Sequence, residues 1–186
     1  MPALVAGALF YTARNPSGPL DNCPGTGDSA PGTLAYGLDP EKNRTDPPVT
    51  YEPMTLDRLT SAKVSASDLS PLQGAQVSGY LTDARLSGPE SAQCHLSDPR
   101  AEDYHVYIGP EPSSPKSACI VVELTGRLPR PSLESLQSLK GKKVTVKGWI
   151  FCDKEHEASS VADRPGKSDW RASCWEVHPV TSLEAQ

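Results

Sequence analysis

Glu176 and His178 stand two positions apart in RASCWEVHPVT (171–181), interleaved with Trp175 and Val177. A period of two is that of a strand with one buried face, so the acid and the imidazole share the opposite side. The same parity recurs twice. In DYHVYIG (103–109), His105 and Tyr107 alternate with Tyr104, Val106 and Ile108; in ACIVVELTG (118–126), Glu123 and Val121 alternate with Ile120, Val122 and Leu124. Facing side chains on neighbouring strands lie about 4.5–5.5 Å apart. If these segments are neighbours, His105, Glu123, Glu176 and His178 reach one common point. Two imidazoles with carboxylates suit a divalent transition metal such as zinc, water completing the shell. His156, which follows Asp153 and Glu155, is a further candidate ligand from a loop, and Cys94 and His95 lie in another.

The elements that must position these residues follow from the same periodicities. QVSGYLTDARL (76–86) alternates Val77, Gly79 and Leu81 against polar neighbours. With DYHVYIG and ACIVVELTG it makes three strands. PSLESLQSLKG then spaces Leu133, Leu136 and Leu139 by three, with Pro131 and Ser132 at a helix start and Gly141 at its stop. KVTVKGWIFCD (143–153) returns to alternation, with Val144, Val146, Gly148 and Ile150 inward and Thr145, Lys147, Trp149 and Phe151 outward. The segment 171–181 is the fifth strand. The order β-β-β-α-β-β is that of an OB-fold-like five-stranded Greek-key barrel; a β-sandwich with one incidental helix is the competing architecture. In an OB barrel the second and third strands carry the usual binding surface and the fifth lies beside the third. Gly79 and Gly148 fit tight bends or close approaches.

Residues 71–186 form the barrel domain on this reading. Residues 1–70 hold NPSGPLDN, CPGTGDSAPGT and RTDPPVTYEP and read as a Pro/Gly-rich, largely irregular N-terminal arm. The five cysteines form no CxxC pair, which argues against a zinc ribbon. One or two disulfides are compatible with their spacing, and Cys119 and Cys152 read as buried thiols. The net charge of −5 argues against a general nucleic-acid binder. Single-stranded nucleic acid is therefore not favoured, although Tyr107, Trp149 and Lys147 offer outward aromatics beside a cation. No run of about 20 apolar residues occurs, so no membrane span is expected. No G-x-S-x-G elbow or phosphate-cradling loop is present, and no catalytic residue is assigned.

Several of these pieces carry a resemblance. ESAQCH (90–95), DYHVYI, VVELTGR, VKGWIFCDKEH and RASCWEVHPVTSLE, with EKNRTDPPVTYEPMTLDRL in the arm, resemble a family of uncharacterised, usually exported bacterial proteins that end in an R-x-T-x-WEIHPVT-like strand. Ser173 replaces the family's threonine, Val177 its isoleucine and Gly126 its proline. The resemblance implies export to an extracytoplasmic compartment and a small barrel-like fold, and it supplies no activity.

The expectation is thus a binding or structural module working through the outer face of the second, third and fifth strands. Tyr107, Lys147, Trp149 and Glu176 are its candidate ligand-binding residues, for a small ligand or a protein partner. The first alternative is a zinc-like site of His105, Glu123 and His178, with His156 nearby; the second is single-stranded nucleic acid. A third way to use the same residues is structural: a Glu–His network that pins the arm, whose Tyr51, Met54, Leu56 and Leu59 need a surface on which to bury. His105 beside Glu123 would then have a raised pKa.

Overall fold

The computed structural model describes residues 18–61, 69, 73–157, 160–161 and 170–186. Five strands close a barrel: β2 (Gly74–Leu86), β3 (Tyr104–Gly109), β4 (Ile120–Leu124), β5 (Lys143–Cys152) and β6 (Trp175–Ala185). Their order is β2-β3-β4-β6-β5, and β5 pairs back onto β2. β4 and β6 run parallel while the other barrel pairs are antiparallel. This is the OB-like barrel that the element order predicts. A short helix, Leu133–Gln137, separates β4 from β5. Ser132 caps it, its hydroxyl accepting from the Ser135 amide, and Leu136 is fully buried.

The predicted inward residues make the core. Val77, Leu81, Val106, Ile108, Ile120, Val122, Leu124, Val144, Val146, Ile150, Trp175 and Val177 form one buried cluster. The alternation in β6 shifts after Val177, since Val180 and Leu183 are its next core residues. The β5–β6 register slips at the same level, on either side of Gly148. A Cβ on Gly148 would meet the Pro179 carbonyl oxygen and Val177.

The segment 1–70, read as a largely irregular arm, holds three short regular elements among its described residues, which are otherwise turns and irregular chain. It contributes helix α1 (Leu34–Lys42), strand β1 (Tyr51–Met54) and helix α2 (Leu56–Thr60), so the helix between β4 and β5 is α3. β1 adds a parallel sixth strand to β2, pairing Tyr51 with Gly74. As an edge strand it tolerates Pro53. Met54, Leu56 and Leu59 join the barrel core. Their burial meets the expected need for a surface and is worth about 1.5–3 kcal/mol per large aliphatic residue.

The reading of Cys152 is corrected. It is bonded to Cys174, joining the end of β5 to the approach of β6, where Cys152 pairs with Trp175. Cys23 is bonded to Cys94, 71 residues apart, tying the arm to the loop after β2. Cys119 is buried and free, as expected.

Gly148→Ala should destabilise the barrel by about 1–3 kcal/mol through overpacking against the Pro179 carbonyl. Gly37→Ala, exposed in α1 with open space around it, should be neutral or slightly stabilising. Urea unfolding of the two variants checks this.

Candidate functional site

β3, β4 and β6 lie side by side, and their outward parity brings His105, Glu123, Glu176 and His178 together. His105 pairs with Glu123 across β3–β4, and Val121 with Glu176 across β4–β6. His105 Nε2 lies 3.0 Å from Glu123 Oε1. His178 Nδ1 lies 3.3 Å from Glu123 Oε2 and 3.1 Å from Glu176 Oε1.

The face is outside the barrel but not in water. The side chains of His105, Glu123, Glu176 and His178 are 5%, 1%, 0% and 0% exposed. The arm and two loops cover them and supply more charge. Lys42, the last residue of α1, places Nζ 2.8 Å from Asp153 Oδ2 and 3.4 Å from Glu90 Oε2. Glu90 Oε1 is 3.8 Å from His105 Nε2. Asp103 Oδ2 lies 3.3 Å from His178 Nε2, and the Gln93 amide donates to the same oxygen at 2.7 Å. Arg171 Nη2 donates to Glu176 Oε2 at 2.8 Å and is fully buried. Trp170 lies parallel to the His105 ring at 6.4 Å, and Phe151 meets His178 edge-on at 5.8 Å.

Followed from end to end, the groups alternate in sign: Arg171, Glu176, His178, Glu123, His105, Glu90, Lys42, Asp153. Each inner acid therefore has a base on either side, the arrangement under which buried charge is tolerated. The pKa directions follow. Burial disfavours a charged His178, but Glu123, Asp103 and Glu176 outweigh it and raise the imidazole well above 6.5. His105 is likewise raised, burial being overcome by Glu123, then Glu90 and Glu176. Burial would raise Glu176, but Arg171, His178 and Lys42 hold it well below the usual range. Glu90 goes the other way, pushed up to about 7 by burial and by Glu123, with Lys42 opposing. Burial opposes the charge on Lys42, yet Asp153 and Glu90 hold its pKa well above 10.5.

The other candidates are placed elsewhere. His156 Nε2 is 3.9 Å from Asp153 Oδ2, at the rim beside Trp170; burial lowers its pKa, Asp153 opposing. His95 is largely exposed, 3.5 Å from Asp28. Tyr107 points outward as expected but is fully buried, its hydroxyl accepting from Arg85 and its ring 4.5 Å from Lys116 Nζ. Trp149 lies under the Arg44 guanidinium and donates to the Asp46 carbonyl. Lys147 sits 5.9 Å from the Tyr51 ring. Tyr107, Trp149 and Lys147 thus occupy separate surroundings, two of them engaged by the arm. The sequence reading did not single out Lys42, Glu90, Asp103 or Arg171. A weak signal existed for all four: each opens or sits within a quoted segment, EKN, ESAQCH, DYHVYIG or RASCWEVHPVT.

Comparison with family models, with curated proteins and with solved structures finds no match to this chain. Among the described residues, no helix is long and apolar enough to cross a membrane.

The cluster predicts an acid-shifted stability optimum. A raised imidazole contributes stability that is full below its unfolded pKa near 6.5 and is lost as pH rises through the higher folded value. Glu90 has the same sign, because its native form holds a proton between its unfolded pKa of 4.5 and about 7. Glu176 acts oppositely, losing its contribution only as pH falls from 4.5 towards its depressed value. Unfolding free energy should therefore fall as pH rises from mildly acidic through neutral and beyond. Glu123→Gln should flatten the part of that fall above pH 6.5, measured by denaturant unfolding across pH; an unchanged profile would contradict the assignment.

Proposed function

We propose that this protein is a small extracytoplasmic OB-type module, structural in character, whose outer β3–β4–β6 face binds the N-terminal segment of its own chain. The observation that carries this reading is Lys42. Its ammonium, 3% exposed, is inserted among Asp153, Glu90 and Glu155, which come from two loops of the barrel. A lysine is almost never buried to this degree without paired acids. The arm docks by further polar contacts. Arg127 Nε donates to Asn43 Oδ1 at 2.6 Å, the Asn43 amide donates to the Ala92 carbonyl at 2.9 Å, and Ser91 Oγ donates to Asp39 Oδ1 at 3.0 Å. The Cys23–Cys94 bond makes the docking covalent. Two disulfides favour an oxidising compartment, in keeping with the export that the family resemblance implies.

Oligonucleotide binding is the weaker reading. The face presents carboxylates where a phosphate backbone needs cations, and Tyr107 and Phe151 are not available for stacking because both are buried.

Lys42→Met tests the proposal. Removing one partner of a buried ion pair leaves the acids uncompensated, so the variant should lose about 3–5 kcal/mol of stability and expose residues 24–44 to limited proteolysis. Adding Asp153→Leu should recover part of the loss, since both partners of the closest pair are then gone. A single variant with wild-type unfolding and an unchanged cleavage pattern would refute the clasp.

A further inference from the structure

We propose that Glu90, His105 and Glu123 form a binding site for a divalent first-row transition cation of the zinc class. One ligand atom from each lies within 4.8 Å of the other two. His105 Nε2 is 3.0 Å from Glu123 Oε1 and 3.8 Å from Glu90 Oε1. Such separations suit the edges of a coordination shell whose metal–ligand bonds are about 2.0–2.2 Å long.

A second observation points the same way. Neither ring nitrogen of His105 has a well-aligned hydrogen-bond partner among the described residues, although the side chain is only 5% exposed. The Glu123 carboxylate is close but poorly aligned with the ring N–H. Buried polar atoms normally find partners, and a cation at this point would engage one nitrogen together with both carboxylates.

The surroundings are arranged as an outer shell. Each carboxylate has its second oxygen turned to a base: Glu90 Oε2 lies 3.4 Å from Lys42, and Glu123 Oε2 lies 3.3 Å from His178. His178 is in turn held by Glu176 and Asp103. Partners of this kind fix the orientation of ligating groups. Lys42 repels a second cation, but Asp103, Asp153 and Glu176 are buried in the same network and favour one. Entry is from the Glu90 side, since that side chain is 23% exposed while the other two ligands are sealed. Three protein ligands leave a position for water. Asp103, Glu123 and His178 make another compact triad. All three are closed off, and both His178 nitrogens already face carboxylates, so the ion is assigned to the Glu90 side.

The site is tested apart from the clasp, because the wild-type zinc titration keeps Lys42 and all three ligands. Protein dialysed against EDTA and titrated with zinc chloride by calorimetry should take up one equivalent, with a rise in Tm. His105→Gln and Glu90→Gln should each weaken uptake by more than about tenfold, whereas His95→Ala, at an exposed imidazole, should leave it unchanged. Cobalt added to the wild-type protein should give d–d bands of a nitrogen- and oxygen-bound ion without sulfur charge transfer. The proposal is overturned by wild-type protein that takes up neither metal. It is also overturned by uptake that survives His105→Gln or is lost in His95→Ala, or by a cobalt–sulfur band, which would place the ion at Cys119. If His105→Gln fails to fold, Glu90→Gln, at the partly exposed edge, and the cobalt spectrum of the wild type decide the question.

Discussion

Compensation of buried charge governs this molecule. Glu90, Asp103, Glu123, Asp153 and Glu176 lie on one side of a small barrel, where the arm shuts out most water. Isolated carboxylates would be neutralised by protonation or would reject burial. Here Lys42 and Arg171 supply fixed positive charge, and two imidazoles bridge between acids. The alternation of sign lets each group act as counter-ion to its neighbours. The cost of desolvation is offset only while the whole row is intact, which makes the row a specifier of arrangement more than a source of net stability.

The arm and the barrel consequently depend on one another. α2 and β1 bury Met54, Leu56 and Leu59 in the barrel core, an apolar contribution of the ordinary kind. α1 delivers Lys42 to the opposite surface of the sheet wall. A single stretch of chain therefore seals the barrel on both of its faces. The usual binding surface of an OB barrel is in this way turned into an interior, with Trp170 and Phe151 flanking the imidazoles.

The barrel was legible in the sequence where a residue's side of the sheet depends only on local alternation. Val77 and Leu81, Val106 and Ile108, and Val144 and Val146 point as the period of two requires. The same parity brought His105, Glu123, Glu176 and His178 to one face, although it could say nothing about what lies over that face. Lys42 and Glu155 are 113 residues apart in the chain and meet only because α1 and the loop after β5 fold over the same face. β1 has four residues, one of them Pro53, too few to show a period. The Cys152–Cys174 bond was hidden for a different reason: cysteine spacing does not encode pairing, and only the β5–β6 register brings the two together. His156 sits in a loop, where alternation carries no information.

The position of β6 bears on how such a chain can be made. It is the last strand in sequence order, yet it fills the gap between β4 and β5. Without it, β4 and β5 each lack a partner along one edge, and Glu123 and Asp103 lack His178. A chain in which β6 has not yet paired has no closed barrel, since Trp175, Val177, Val180 and Leu183 are part of the core. Closure of the barrel requires β6, and long-range pairing of this kind slows folding.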